Sequence, residues 1–336
     1  MLLLGVESSC DDTSAAVVDG GRVLSNVVAS QDEIHACYGG VVPELAARRH
    51  LETVGTVIAR AMELSGAALG ELDGIAVTRG PGLIGSLLVG ISAAQGLALA
   101  CDLPLTGVNH LEGHALSPLM ENELDFPYLA MLVSGGHTAM YLVEAIGDYA
   151  EVCATRDDSA GETFDKAAKM LGLGYPGGRV IDELGSRGNP RAVGFPRPRV
   201  RGDRLAMSFA GLKTSLWDFL HSDSSRRHSV EDVCASFQEA VVDSIVDRVM
   251  EAASRLGVGN LALAGGVSAN RRLRTKLDRA VGKTGGRLVF PSMGLCTDNA
   301  AMIAFAASKR LDGDLPEEEL TAVSRLPLGP RRGPRN

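Results

Sequence analysis

The segment Val108-Asn109-His110-Leu111-Glu112-Gly113-His114 places two imidazoles four residues apart, directly after a strand-like run. If a helix starts there, both rings share one face, and two ring nitrogens on one face can hold a metal ion. A helix-start histidine pair satisfied by local hydrogen bonds has the same spacing, so the spacing leaves both readings open. Glu112 stands at the third place and projects away from the pair, unlike the base of an H-E-x-x-H zinc peptidase. Two imidazoles leave a metal under-coordinated, so a further ligand is needed, preferably an oxygen that leaves positions open for substrate. Asp298, in Cys296-Thr297-Asp298-Asn299-Ala300, is a candidate; it begins the last predicted helix, where the ordinary role of such a residue is capping. Nothing in the spacing joins it to the histidines.

A second chemistry is written in the turns. Glu7-Ser8-Ser9-Cys10-Asp11-Asp12-Thr13 and Ser134-Gly135-Gly136-His137-Thr138 each join two strand-like runs. Such turns offer backbone N–H groups and hydroxyls to a phosphate with little side-chain obstruction. The third element, Leu261 to Asn270, runs strand, Gly265-Gly266, helix start, where glycines admit a ligand and the helix amino end favours anions. Each by itself is more often an ordinary hairpin or βα turn; it is their occurrence at equivalent places in two halves that points to a phosphate.

The elements that carry these residues repeat. Strands are expected at Leu2–Val6, Ser14–Val18 and Arg22–Ala29, a helix at Pro43–Ser65, then strand, helix and strand. From Phe126 the order starts again: strands at Tyr128–Val133, Thr138–Val143 and Tyr149–Ala154, helices at Thr163–Leu171 and Ser229–Leu256, a strand at Leu261–Ala264, a helix from Ala269, a strand at Arg287–Phe290 and a helix at Asp298–Arg310. Two halves that each run three strands and then alternate helix and strand describe a duplicated α/β fold, that of actin, Hsp70 and the sugar kinases, with a nucleotide held in an interlobe cleft. Residues 1–109 with 298–325 are assigned to the first lobe, 110–297 to the second and 326–336 to a loose tail. At 336 residues with 45% hydrophobic and 22% charged residues, two cores are expected and disorder is not.

The formal charge of −8 argues against a free-standing nucleic-acid binder. Locally, Arg187 to Arg204 holds six arginines against one acid, Asp203, either a solvated loop or a polyanion-facing rim. The six cysteines show no C-x-x-C spacing, as expected of reduced thiols in a cytoplasmic protein. The amino terminus reads as a first strand rather than a signal peptide. Gly82 to Cys101 is uncharged and of membrane-spanning length, but its glycines, Ser86, Ser92 and Gln95, set between two strands, identify a buried crossover helix and no membrane span.

Nine segments together resemble the TsaD family, tRNA adenosine threonylcarbamoyltransferases once described as O-sialoglycoprotein endopeptidases. They are Gly5–Asp11, Tyr38–Ala46, Gly80–Gly90, His110–His114, Leu132–Thr138, Ala160–Gly178, Ser208–Thr214, Ala264–Leu273 and Cys296–Ala304, in order along nearly the whole chain. The resemblance implies the duplicated actin-like ATPase fold of the ASKHA and RNase H-like class. It also implies an acyltransferase that moves the threonylcarbamoyl group of threonylcarbamoyl-AMP to the exocyclic amine of the adenosine 3′ of the anticodon, in tRNAs reading codons that begin with adenosine. Carried over residue by residue, it implies that His110, His114 and Asp298 hold one divalent ion per subunit, iron(II) in preference to zinc. Leu132, Val133, Ser134, Gly135 and Gly136 would contact the phosphate and carbamoyl end, and Asp165, Gly178, Asp182 and Asn270 the ribose and base. Implied partners are tRNA, a TsaB-like paralogue, a TsaE-like P-loop ATPase and a separate synthase supplying the adenylate.

With tRNA in view, the Arg187 to Arg204 stretch, Arg197 and Arg199 above all, becomes a candidate rim, joined by Lys213. Glu7 is a minor candidate near the phosphate end. Asn109, Thr163 and Arg179 depart from the commoner pattern, and Arg179 puts the shape of its loop in question. His35, His50, His137, His221 and His228 are expected to fill surface or turn roles. The rival readings are an actin-like kinase or ATPase, whose metal would be held by carboxylates and water, a metallopeptidase, and a non-catalytic module.

Overall fold

The computed structural model describes residues 1–200, 202–203, 205–310 and 320–330. Arg201 and Arg204 of the basic stretch, and the tail positions from 331 onward, lie outside the described residues. The chain forms two compact units, Met1–Glu123 with Pro291–Leu328, and Leu124–Phe290 with the segment from Gly329.

The first unit opens with β1 (Leu2–Glu7), β2 (Asp12–Asp19) and β3 (Arg22–Ser30), followed by a short α1 (Asp32–Ala36) and a long α2 (Pro43–Ser65). Proline at the first turn of α2 loses no hydrogen bond, and Gly66 ends the helix in the left-handed conformation that only glycine adopts freely. Then come β4 (Gly74–Gly80), α3 (Ile84–Cys101), β5 (Leu105–Asn109) and α4 (His110–Leu116). The sheet order is β3-β2-β1-β4-β5, with β1 antiparallel to β2 and parallel to β4.

The second unit repeats the plan with β6 (Tyr128–Val133), β7 (Thr138–Ala145) and β8 (Asp148–Ala154). Helices α5 (Ala160–Met170), α6 (Gly177–Gly185), α7 (Ala210–Leu220) and α8 (Val230–Leu256) precede β9 (Asn260–Ala264), α9 (Arg271–Gly282) and β10 (Arg287–Val289). Read from β8, the strand order β8-β7-β6-β9-β10 matches that of the first sheet, again with the first three strands paired antiparallel and the last two added in parallel. The duplication expected from the order of elements is therefore present in the strand topology. Strands β1 and β6 are buried almost throughout, as central strands covered on both faces must be.

The chain returns to the first unit through α10 (Met293–Cys296) and α11 (Ala300–Arg310). Ala300 to Ala307 are all buried, and α11 packs on β1, β2 and α4. This packing moves the boundary: residues 110–123 and 291–297 belong to the first unit, where chain order alone had placed them in the second. Residues 326–330 are not loose either. Leu328 is buried, Asn109 Nδ2 donates to the carbonyls of Leu326 and Pro327 at 3.3 Å each, and Glu151 N donates to Pro330 O at 3.0 Å.

Helix α3 is long and apolar enough to cross a membrane by length and composition. It is the crossover between parallel β4 and β5 and buries Leu87, Ile91, Ala94 and Ala98, while Ile84, Leu88 and Leu99 stay exposed. Helices α6 and α7 have no counterpart in the expected elements.

Candidate functional site

In the first unit, the strand-to-helix step from β5 to α4 is made by Asn109, whose side chain accepts from Leu111 N at 2.9 Å and caps the helix. His110 and His114 follow on one face, both buried, with ring centroids 4.7 Å apart and planes at 86°. The carboxylate of Asp298 reaches them from just before α11: its Oδ1 lies 3.0 Å from His114 Nε2 and 3.6 Å from His110 Nε2. Ligands bonded at 2.0–2.1 Å to a tetrahedral ion stand about 3.3 Å from one another; the two carboxylate–imidazole separations match this, and all three ligand atoms lie within 4.8 Å of one another. Among the described residues, the buried His114 Nδ1 has no hydrogen-bond partner, which leaves that ring under-used.

Asp298 is spared the capping role that its position suggests. Asn299 Oδ1 takes Met302 N at 3.0 Å, and Ser14 Oγ accepts from Ala300 N at 2.9 Å, so the start of α11 is satisfied by neighbours. Glu112 indeed points away from the trio, accepting from Arg310 Nε at 2.9 Å, and it cannot serve as a peptidase base.

Glu7 sits on His110: its Oε2 lies 3.1 Å from His110 Nδ1, and neither residue has appreciable exposure. Burial opposes the charge on His110, but the carboxylates of Glu7 and Asp298 outweigh it and push the imidazole up to about 9. Burial raises Glu7 as well, yet His110 holds it below the usual carboxylate range. Burial, and then the charges of Asp298 and Asp11, push Asp12 up to about 8. The loop after β1 is packed inward: Ser8 Oγ donates to Ser86 O at 2.9 Å, and Ser9 contributes its carbonyl to Leu83 N at 2.7 Å. His35 and His50 are fully buried, against expectation. His50 joins Thr13 Oγ1 at 2.7 Å to the Cys10 carbonyl at 2.9 Å and so pins the same loop.

In the second unit the equivalent loop is open. Gly135 and Gly136 are exposed, and a Cβ on either would meet nothing within 4 Å. Leu132 and Val133 bury their side chains, so only their backbone is available to a ligand. Ser134 closes the turn, its hydroxyl accepting from His137 N at 3.0 Å. The amino end of α5 lies against the loop, where Gly161 N donates to Ser134 O at 3.2 Å and a Cβ on Gly161 would come within 2.5 Å of that oxygen. Gly265, at φ +90°, brings the β9 loop equally close to Val133. Loops at the carboxyl ends of parallel β6 and β9 therefore converge, the place where open α/β sheets bind ligands.

Around them stand the other expected contacts. Asn270 caps α9 through Leu273 N at 2.9 Å, and its buried Nδ2 has no hydrogen-bond partner among the described residues. Asp165 accepts from Gly177 N at 2.7 Å at the start of α6, beside half-buried Gly178. Asp182 accepts from Gln238 Nε2 and Arg271 Nε, both at 2.7 Å, on the edge of a pocket of about 280 Å³ lined also by Gly185, Arg272 and Thr275. The network around Asp182 thus includes Gln238 and Arg271.

Several candidate rim cations are paired. Arg197 donates to Asp243 at 2.7 and 3.1 Å, Lys213 pairs with Asp158, and Arg199 lies 3.9 Å from Asp247 while staying largely exposed.

Two matched sheets, each with a loop after its first strand, define a protein of the duplicated actin-like fold. Solved structures agree: full-length HypF, in its phosphate- and nucleotide-bound form, superposes with a TM-score of 0.63 at 14% identity over 93% of this chain and 56% of that one. Component A of the Acidaminococcus fermentans (R)-2-hydroxyglutaryl-CoA dehydratase gives 0.56 at 16% over 92% and 98%. The chain belongs to the TsaD family, tRNA N6-adenosine threonylcarbamoyltransferase, whose model matches residues 22–305. It is 51% identical to the tRNA N6-adenosine threonylcarbamoyltransferase of Syntrophotalea carbinolica, over 98% of this chain and 97% of the relative. It is also 51% identical to that of Geotalea uraniireducens, over 94% and 93%.

Proposed function

We propose that this protein transfers the threonylcarbamoyl group of threonylcarbamoyl-AMP to the exocyclic amine of the adenosine 3′ of the anticodon, in tRNAs reading codons that begin with adenosine. The observation that carries this reading is the pairing, within one TsaD-family chain, of a preformed His110/His114/Asp298 donor set with an open glycine loop flanked by the unsatisfied amide of Asn270.

The reaction forms one C–N bond and breaks the C–O bond of a carbamoyl–phosphate anhydride; AMP leaves with the electron pair, and the amine loses a proton. Because the leaving group is good, the protein's tasks are orientation and charge placement. The backbone of Leu132 to Gly136 faces the phosphate and carbamoyl end. Asn270 Nδ2 donates to the adenylate, and Asp165, Gly178 and Asp182 meet the ribose. The bonds to Gln238 and Arg271 leave Asp182 room to accept ribose hydroxyls, since each carboxylate oxygen accepts two. His110, His114 and Asp298 would hold the divalent ion, iron(II) before zinc, which when bound supplies Lewis acidity to a carbonyl oxygen.

We place the protein in the cytoplasm, a reading supported by six free cysteines. It works on tRNA together with a TsaB-like paralogue, a TsaE-like P-loop ATPase and a synthase that supplies the adenylate. The exposed Ile84, Leu88 and Leu99 of α3 support a protein partner. The test supplies threonylcarbamoyl-AMP, unmodified tRNA and those partners, and looks for the modified nucleoside by mass spectrometry. Product is expected with the native chain and absent with H110A/H114A; a native chain that yields none, with all components active, would refute the reading.

A further inference from the structure

Glu7 ends β1 at 0% exposure, and a carboxylate buried so completely needs partners for its charge. Its Oε1 accepts Ser9 N at 2.5 Å; its Oε2 accepts Thr78 Oγ1 at 2.5 Å and faces His110 Nδ1 at 3.1 Å. Ser9 Oγ also lies 3.1 Å from the same ring nitrogen. The opposite nitrogen of that ring, Nε2, is the one that faces Asp298 Oδ1. The carboxylate is thus held from two sides by its own unit and presents one oxygen to the ring.

We propose that Glu7 is the positioning residue of the His110/His114/Asp298 trio. By accepting the Nδ1 proton of His110 it fixes the ring's rotation and tautomer, which leaves the Nε2 lone pair directed at the ion. A carboxylate behind a ligating imidazole also makes that imidazole a better donor. His114 has no such support among the described residues, where its Nδ1 lacks a partner. The two histidines are therefore unequal: His110 is held in place before any ion arrives. This inference rests on the metal reading of the trio and adds the residue that organises it. The competing role for Glu7 is purely structural, a staple joining β1 to β4 through Thr78, and it predicts a different pattern of losses.

The test titrates the full-length chain with zinc, and with cobalt(II) as a spectroscopic probe, in the native protein and in E7Q, E7M and T78V. The amide oxygen of Gln can still accept from Nδ1, so E7Q is expected to fold and to bind about 10-fold more weakly, and E7M about 100-fold more weakly. Both should alter the cobalt d–d spectrum, while T78V stays within a few-fold of native. If E7M does not fold, E7Q decides. Native affinity and an unchanged cobalt spectrum in E7Q, with only its melting temperature lowered, would show a staple and overturn the proposal. If the native chain binds neither ion, the metal reading itself fails and the role of Glu7 falls with it; binding by native chain and E7Q alike removes the role of Glu7 alone.

Discussion

Arg310 donates its Nε to Glu112 at 2.9 Å, tying the far end of α11 to the helix that carries the imidazole pair. Glu112 is fully buried and Arg310 is partly exposed. The pair thus fastens α11 along its length to α4, the two helices whose packing brings Asp298 to the histidines. Replacing Arg310 by Ala removes a cationic partner from a buried carboxylate and is expected to lower unfolding free energy by about 1–3 kcal/mol. Urea unfolding checks this, and R310A should bind the ion more weakly even where it remains folded.

Asn299 and Asp298 divide labour between neighbours. N299A removes the cap of α11 and should cost about 1 kcal/mol in urea unfolding with the ion content intact. D298A should leave that cap in place and abolish metal content measured by elemental analysis. The opposite assignment of losses would mean that the two side chains have been given the wrong roles.

Gly161 sits where a Cβ would come within 2.5 Å of the Ser134 carbonyl. G161A is expected to push α5 away from the glycine loop, destabilising the protein by about 1–3 kcal/mol and weakening adenylate binding at least 10-fold. Calorimetric titration with a non-hydrolysable adenylate, alongside a thermal melt, measures both. The zinc affinity of the first unit should not change.

Glu239 sets an acid limit on the second unit. Burial would raise its carboxyl, but Arg272 and Lys276 hold it at about 2 against an ordinary 4.5. With the folded value depressed, its stabilisation is complete above pH 4.5 and is lost as pH falls from 4.5 toward 2. Stability plotted against pH should slope upward through that window, and E239Q should remove up to one proton's worth of the slope.

Arg197 is neutralised by Asp243 before any nucleic acid arrives, whereas Arg199 is largely exposed. R197A should barely alter the dependence of tRNA binding on salt, and R199A should lower its slope by about 1. Identical slopes for native chain and both variants would remove this stretch from the tRNA-binding surface.

Much of the local structure was legible from residue order. Pro43 and Gly66 bracket α2 at its observed ends, and the run Tyr128–Val133 is the strand it was expected to be. His110 and His114 do share a helix face, because a spacing of four settles that wherever a helix forms. Helices α6 and α7 escaped notice because they lie within a Pro- and Gly-punctuated stretch; α6 in particular is short, opens on two glycines and closes on a third.

What the sequence by itself determined was most of the elements, their duplication, and which side chains each could present, since turn chemistry and periodicity act over a few residues. Tertiary structure alone decided that Asp298 meets His114 across 184 positions, that Glu7 stands behind His110 across 103, and that Asn299 rather than its neighbour caps α11. Those pairings arise from the return of α11 to the first sheet and from the placement of β1 between β2 and β4, which depend on the burial of whole faces. No short-range pattern encodes which distant atoms such packing brings together.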